Sequence, residues 1–517
     1  MKSKINMEQY KDFKSTKRVA KNTLYLYFRT LFVMGVSIYT SRIILDTLGI
    51  ENYGIYNVVG AFVSMFSVLS GSLTAASQRF IAFELGKGIS NVKKVFSTTL
   101  SIHFLLAVIT FILLEIIGLW FLNNKMNIPP NRMIAANWVF QCSVITFCIN
   151  LISIPYNAAI IAYEKMSAFA YISIFEVLAK LIAVYALYMI AFDPLIVYSI
   201  FMLFVAVILR FTYGIYCSKR IPDCKYSTCF DKSIFKEISR FSGWNFIGSS
   251  SVILNGQGIN MLMNNFFGVT LNAARGLSSQ IDGAINTFVN NFLMALNPQI
   301  TKSFAAGDFV YVNKMIIWGT KFSFFLFWVL CLPIFINTDF ILNIWLKQVP
   351  DYASLFIKLG IIYGLCQTLS QCLYTTMLAT GNIKKYQIVV GGLSLLAFPT
   401  AWIFFELGLP GEYGYWAMII FSIVCLVARL VLLQKMVPLF SSLCYLTKIL
   451  YPITLVIIST SAIIHIVHKP VQDITWTKFV YESAICIIVS LGCIAVLGLT
   501  KEERNRIYKL VQNRIHK

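Results

Sequence analysis

Charge is scarce in this sequence, and negative charge scarcer still: charged residues make up 13% of 517, with 22 acidic against 43 basic side chains. Long polar stretches are missing too, so no large soluble domain fits between the apolar runs. Only four histidines occur. His103 and His465 stand at expected membrane boundaries without HExxH or carboxylate spacing, which reads as satisfied structural histidines and not as metal ligands. The twelve cysteines fall inside apolar runs or in expected cytoplasmic loops, so no disulfide framework is expected. Cys224 and Cys229 lack the second pair or flanking His of a zinc site. "LGKG" at 85–88 lacks the glycine spacing and the hydroxyl residue of a Walker A loop, so ATP hydrolysis is not expected. No cofactor is called for.

What fills the chain is hydrophobic, at 58% of residues. A bilayer core of about 30 Å needs about 20 apolar residues per helix, and such runs recur throughout the chain. They read as an all-α polytopic membrane protein with about fourteen helices: 21–45, 54–74, 98–122, 134–162, 170–190, 195–217, 241–268, 277–300, 316–336, 354–378, 385–406, 412–434, 447–466 and 478–498. On that map about 30 of the 43 Lys and Arg lie on the N-terminal side, about 6 on the other and about 7 inside spans, which places both termini in the cytoplasm. The net charge of +21 therefore reports topology, and nucleic acid is not an expected partner. The opening "MKSKINMEQYKDFKSTKRVAKN" is too polar for a cleavable signal, so the first span is expected to remain as an anchor.

The chain echoes itself with a period of about 220 residues, and parallel repeats of this kind recur in transporters. "LGIENYGIYNVVGAF" after the first span pairs with "FGVTLNAARGLSSQI" after the seventh. "SQRFIAFELGKGISNVKK" pairs with "PQITKSFAAGDFVYVNKM", matching Gln78 with Gln299, Gly86 with Gly307 and Lys93 with Lys314. An even number of helices per copy enters both copies from the same side. The expected organisation is a basic N-terminal segment (1–20), an N-lobe (21–217), a cytoplasmic linker (218–240), a C-lobe (241–434), two additional helices (447–498) and a basic tail (499–517). In the tail, Ile507, Leu510, Val511 and Ile515 have the spacing of an amphipathic helix on the membrane surface, although a solvated tail that only reinforces topology fits as well.

The first span poses the functional question, because it carries Arg29 and Arg42 and ends on Asp46. A cation at a helix centre costs on the order of 2.5–3.5 kcal/mol on insertion scales, so it needs water, a partner or a route to the interface. Snorkelling accommodates Arg42, with Asp46 one turn on, more readily than Arg29. Other spans carry charge as well: Lys180 with Glu176 at i,i+4, Arg210, Asp282 two turns after Arg275, Lys321, Lys358 and Arg429. Glu115 has the simpler reading of a residue near an exterior end. Ionisable groups within spans face bundle interiors or wet cavities. Arg29, Arg42, Lys180, Arg210, Arg275 and Arg429 thus form an expected cationic lining suited to an anionic passenger. Asp46, Glu176 and Asp282 are the candidates for coupling to protons or sodium, with a plain salt bridge to Lys180 the alternative for Glu176.

Across residues 41–88 the chain resembles the Wzx-type polysaccharide transport proteins, the flippases of lipid-linked oligosaccharides. The resemblance rests on "LGIENYGIYNVVG" at 48–60, "SQRF" at 77–80 and "ELGKG" at 84–88. It implies the fold of the multidrug, oligosaccharidyl-lipid and polysaccharide exporter superfamily, with two six-helix lobes and two extra helices. It further implies a polyprenyl-diphosphate-linked repeat unit as substrate, flipped from the cytoplasmic to the periplasmic leaflet of a bacterial inner membrane. Membrane lipids, and a polysaccharide polymerase with chain-length machinery, are the implied partners. Three other readings stay open: a cation-coupled drug exporter, which would want an acidic lining; a polymerase or ligase, which would want a large exterior loop; and a regulatory or scaffolding membrane protein.

Overall fold

The computed structural model describes all residues except 1, 65, 88–90, 125, 127, 191, 228–229, 347–348, 468–475 and 506–517; of residues 2–17 only the backbone is described. The tail positions from Ile507 onward, Gly88 and Cys229 therefore lie outside the described residues. All regular structure among the described residues is helical. The main helices are α1 (Lys2–Ser64), α2 (Ser67–Lys87), α3 (Val92–Asn124), α4 (Pro130–Ala162), α5 (Met166–Met189), α6 (Pro194–Arg220), α7 (Lys232–Ala305), α8 (Phe309–Ile336), α9 (Ala353–Thr380), α10 (Lys384–Glu406), α11 (Tyr413–Met436), α12 (Ser442–Ile466) and α13 (Trp476–Gly498).

Among the described residues eleven helices are long and apolar enough to cross a membrane, against the fourteen expected from sequence. The expected spans 54–74, 241–268 and 277–300 are not among the eleven. The first is interrupted between Ser64 and Ser67, and the other two, inside α7, are helical but rich in Ser, Asn, Gln and Gly. Helical backbone also covers residues 2–20, continuous with the first span, and much of the expected connection 269–276 within α7.

Two of these long helices are broken within their length. Gly49 interrupts α1 at φ 74°, ψ 166°, a left-sided φ that strains any residue with a Cβ. Gly49 is the glycine of the "LG" that opens the sequence motif. In α7 the Arg275 guanidinium donates to the Gly256 carbonyl at 3.1 Å. Nineteen residues of straight helix would separate these groups by about 28 Å, far beyond the reach of a side chain. The chain must double back between them, in the segment that aligns with the Gly49 region in the internal repeat.

By packing, the chain divides into two units, 22–249 and 250–517 joined by 1–21. The division falls inside α7, at Ser249 and Ser250. In the first unit α4 is central and packs on α2, α3 and α6. Val59, Leu114, Ala136, Val139 and Phe140 form its core, and Gly118 leaves the space that the Phe140 ring fills. The first turns of α7 belong to this unit: Ser72 donates to the Ser242 carbonyl at 2.9 Å, and Arg79, the arginine of "SQRF", stacks on Phe80, Phe83 and Phe241 at 4.4, 4.5 and 5.5 Å. In the second unit α11 packs on α9 and α10, and α8 on α9 and α13.

One polar junction ties three helix ends of the first unit. Arg132 grips Asp193 with both Nη atoms, at 2.7 and 3.1 Å, and donates to Asn52 Oδ1 at 2.6 Å. Asp193 also caps α6 through the backbone N–H of Leu195 and Ile196. Burial pushes the Asp193 carboxyl up, but the bonds from Arg132, Leu195 and Ile196 outweigh it and hold the group below the usual carboxylate range. A carboxyl depressed on folding contributes stability above its unfolded pKa of about 4 and loses it as pH falls through the folded value. We expect the melting temperature of the protein in detergent to fall as pH drops below about 4, more steeply for wild type than for Asp193→Asn. Asp193→Ala at neutral pH should cost about 1.5–3 kcal/mol.

Candidate functional site: a charged cavity in the first unit

In the first unit a cavity of about 310 Å³ is lined by Arg29, Ser37, Thr40 and Ile44 of α1, Ser173, Glu176 and Lys180 of α5, and Tyr198 of α6. The positions on α1 recur at helical spacing, as do those on α5, so each helix turns one polar face inward. The structure thereby brings together three sequence candidates: Arg29, Glu176 and Lys180.

Glu176 accepts from Lys180 at 2.6 Å, and both side chains remain partly open. Arg29 behaves differently. Its guanidinium lies 4.7 Å over the Phe169 ring, near enough to Glu176 and Tyr213 for electrostatic interaction, yet no oxygen among the described residues accepts a hydrogen bond from it. Its Nε is buried and unpartnered. A guanidinium presents five N–H donors in a planar fork, and here they stand unclaimed at a cavity wall.

The other candidates fall elsewhere. Arg42 is exposed on α1, two residues and about 200° from Thr40. Asp46, also exposed, accepts from the Tyr188 hydroxyl at 3.4 Å. Arg210 lies 4.1 Å over the Tyr156 ring, on the α4 side of α6. None of these three lines the cavity.

The second unit has its own charged cluster. Arg275 is buried, with donors on the Gly256 carbonyl and on the sulfurs of Met263 and Met418, so it serves to close the reversal of α7. Arg429 Nε donates to the Tyr386 hydroxyl at 3.1 Å while one Nη is buried without a partner. Asp282 keeps Oδ1 buried and unpartnered beside Gly364, where a Cβ would come within 2.5 Å of it. Arg275, Asp282 and Arg429 all act electrostatically on Tyr363, whose hydroxyl accepts from Gln367.

Several charges that the sequence left ambiguous prove to be structural. Lys321, 1% exposed, pairs with Glu503 at 2.8 Å. Glu503 closes a reciprocal cap with Thr500, its Oε2 accepting from the Thr500 N–H at 2.8 Å and its own N–H donating to the Thr500 hydroxyl at 3.3 Å. His103 is buried between the Thr99 carbonyl and the Ser77 hydroxyl. Glu115 lies in the wide turn Leu114–Gly118 and accepts from Gln141 at 3.0 Å. All described cysteines are free. Among the described residues no group of three His, Cys, Asp or Glu gathers at metal-binding distance.

Sequence reasoning found the charges but missed the uncharged lining. Ser37, Thr40, Ser173 and Tyr198 carry no special motif, and only the shared helical face of Arg29, Ser37 and Thr40 could have marked two of them.

The chain has the helix content of a multi-pass membrane protein, and its fold is similar to that of solved membrane transporters. A MATE transporter of the MOP superfamily in its outward-facing conformation superimposes with a TM-score of 0.69 at 12% identity, covering 81% of this chain and 96% of that one. A MATE transporter in a bent conformation matches with a TM-score of 0.68 at 13% identity, covering 82% and 98%. A MOP-superfamily transporter of Pyrococcus furiosus, described as having a binding pocket of reverse polarity, matches with a TM-score of 0.68 at 12% identity, covering 81% and 95%. No curated protein matches the chain in sequence. The chain belongs to the polysaccharide biosynthesis protein family, whose model matches residues 19–306, and the resemblance drawn from residues 41–88 agrees with it.

The Lys321–Glu503 pair yields a direct test. Removing one partner strands a buried charge, which costs about 3–5 kcal/mol, whereas replacing both with apolar residues is often neutral. Glu503→Ala should lower the detergent melting temperature clearly, and Lys321→Met with Glu503→Leu should restore most of it; a thermal-shift series reads both.

Proposed function

We propose that this chain is a flippase that carries polyprenyl-diphosphate-linked oligosaccharide repeat units from the cytoplasmic to the periplasmic leaflet of a bacterial inner membrane. The repeat units would serve O-antigen, capsule or exopolysaccharide assembly. The observation that carries the reading is Arg29: a guanidinium at the wall of a polar cavity, with its donors unclaimed and Lys180 on the facing helix. Charge-assisted hydrogen bonds from Arg to phosphate oxygens are among the stronger neutral-pH contacts a protein can make. Membership of a polysaccharide biosynthesis family supports a glycan cargo.

In the proposed cycle the diphosphate engages Arg29 and Lys180, the glycan occupies polar space, and the lipid tail stays in the bilayer. The chain then alternates between inward-open and outward-open states. Passenger binding biases that equilibrium only through its differential affinity for the two states. Ion coupling falls to Glu176 and Asp282, with Arg429 near the latter; Arg42, Asp46 and Arg210 stand outside the first cavity and take peripheral parts. No bond is made or broken, so the chain acts as a transporter and not as an enzyme. Both termini lie in the cytoplasm, and the flipped product passes to a polymerase with its chain-length machinery. A cation-coupled drug exporter would face two cations and one carboxylate in this cavity, which opposes a cationic passenger.

The test is the sidedness of lipid-linked oligosaccharide in cells lacking the protein. Unflipped units should accumulate on the cytoplasmic face; wild type should clear them, and a membrane-inserted Arg29→Ala chain should clear them about tenfold more slowly or worse. Units that reach the periplasmic face normally but remain unpolymerised would instead make the protein a polymerase or its partner.

A further inference from the structure

Beside the charged cavity lies a second one with no charge in it. Its volume is about 190 Å³, and its polar walls come from Tyr56 of α1, Ser143, Thr146 and Asn150 of α4, and Ser199 of α6. Residues 143, 146 and 150 share one face of α4, as three- and four-residue steps require. Among the described residues, Ser143, Thr146 and Asn150 have no hydrogen-bond partner. Their hydroxyl and amide groups are therefore free to donate and accept.

The two cavities are neighbours. Tyr198 lines the charged one and Ser199, the next residue, lines the neutral one. The wall between them is an aromatic pair, Tyr56 against Tyr198, edge to face with centroids 4.8 Å apart. All of this lies within residues 22–249.

We infer that the neutral cavity is a carbohydrate subsite, which takes the sugar ring nearest the diphosphate held by Arg29 and Lys180; the inference rests on that reading of the charged cavity. Its chemistry selects against other occupants. A charged group would find no counter-charge in the lining, and an apolar one would leave three polar side chains unsatisfied. A pyranose matches both kinds of wall. Its hydroxyls meet the donors and acceptors of Ser143, Thr146 and Asn150, while its C–H face meets the rings of Tyr56 and Phe147, which also lines the cavity. The volume admits one ring and not an oligosaccharide, so this subsite would read the first sugar of the repeat unit and leave the remainder unread.

The test uses the purified full chain in detergent and three probes: inorganic pyrophosphate, a methyl glycoside, and a short-prenyl diphosphate bearing the same single sugar. Binding is measured by titration calorimetry for wild type, Thr146→Val with Asn150→Leu, Ser143→Ala, and Arg29→Ala with Lys180→Ala. The double change at Thr146 and Asn150 should weaken the conjugate about tenfold and leave pyrophosphate unchanged, which also shows that the variant is folded. Ser143→Ala, the milder change, should weaken the conjugate in the same direction. The Arg29 and Lys180 change should weaken both pyrophosphate and the conjugate. If conjugate and pyrophosphate both bind the Thr146 and Asn150 variants as they bind wild type, the cavity holds only water and the subsite is overturned, while the diphosphate reading survives. If pyrophosphate binding ignores Arg29 and Lys180, the diphosphate reading fails; the carbohydrate subsite falls with it unless the methyl glycoside still binds wild type and is lost in the Thr146 and Asn150 variant.

Discussion

An ionised side chain inside the hydrocarbon layer has to find water, an opposite charge or an aromatic face, and this requirement sorts the charges described within the long helices. Lys321 finds Glu503, Arg79 finds three phenylalanine rings with Glu237 at 3.7 Å, and Arg275 finds a carbonyl and two sulfurs. These groups hold helices together. Arg29 finds a ring, a cavity and the field of Glu176, but no hydrogen-bond acceptor among the described residues. A cation left so under-satisfied in a membrane helix is costly unless something arrives to use it, and the proposed passenger is that something.

The same sorting explains how much of the molecule could be read in advance. Apolar runs announced an all-helical membrane protein, and the gap between the expected spans 21–45 and 54–74 holds the break at Gly49, whose φ a residue without Cβ adopts easily. Less legible were the limits of the membrane-crossing set: 241–268 and 277–300 read as spans, yet their Ser, Asn, Gln and Gly leave them outside the helices apolar enough to cross a membrane. At the site, Glu176 and Lys180 could be paired from their i,i+4 spacing, and their pairing is seen. Arg29 could be suspected but not joined to them, because contact between α1 and α5 is tertiary. Arg275 shows the opposite limit: its charge suggested a cavity, yet its real neighbours come from a chain reversal and from α11, which no local pattern encodes. Lys321 was equally opaque, since its partner lies 182 residues away.

In the proposed cycle the uncharged residues would decide specificity as much as the charged ones. An arginine and a lysine will hold any diphosphate, whether it carries a sugar, a nucleoside or nothing. Discrimination needs groups that are left unsatisfied by the wrong passenger, and a site that hydrogen-bonds a hydroxyl penalises its absence more than an apolar pocket penalises its presence. Ser143, Thr146 and Asn150, unpartnered in the structure, are groups of that kind.

Charge balance then gives Glu176 a part beyond its pairing with Lys180. With Arg29, Lys180 and Glu176 ionised, the lining of the charged cavity sums to one positive charge. A diphosphate diester brings two negative charges, so in the proposed cycle the loaded cavity would be negative by one. Low-dielectric surroundings make such an imbalance expensive, and it is relieved most simply if Glu176 takes up a proton or a cation enters beside it. Lys180, released from the carboxylate, can then turn its N–H donors to the phosphate. Loading and ion uptake would thus favour one another through a single side chain, which is the thermodynamic form that coupling between two ligands must take.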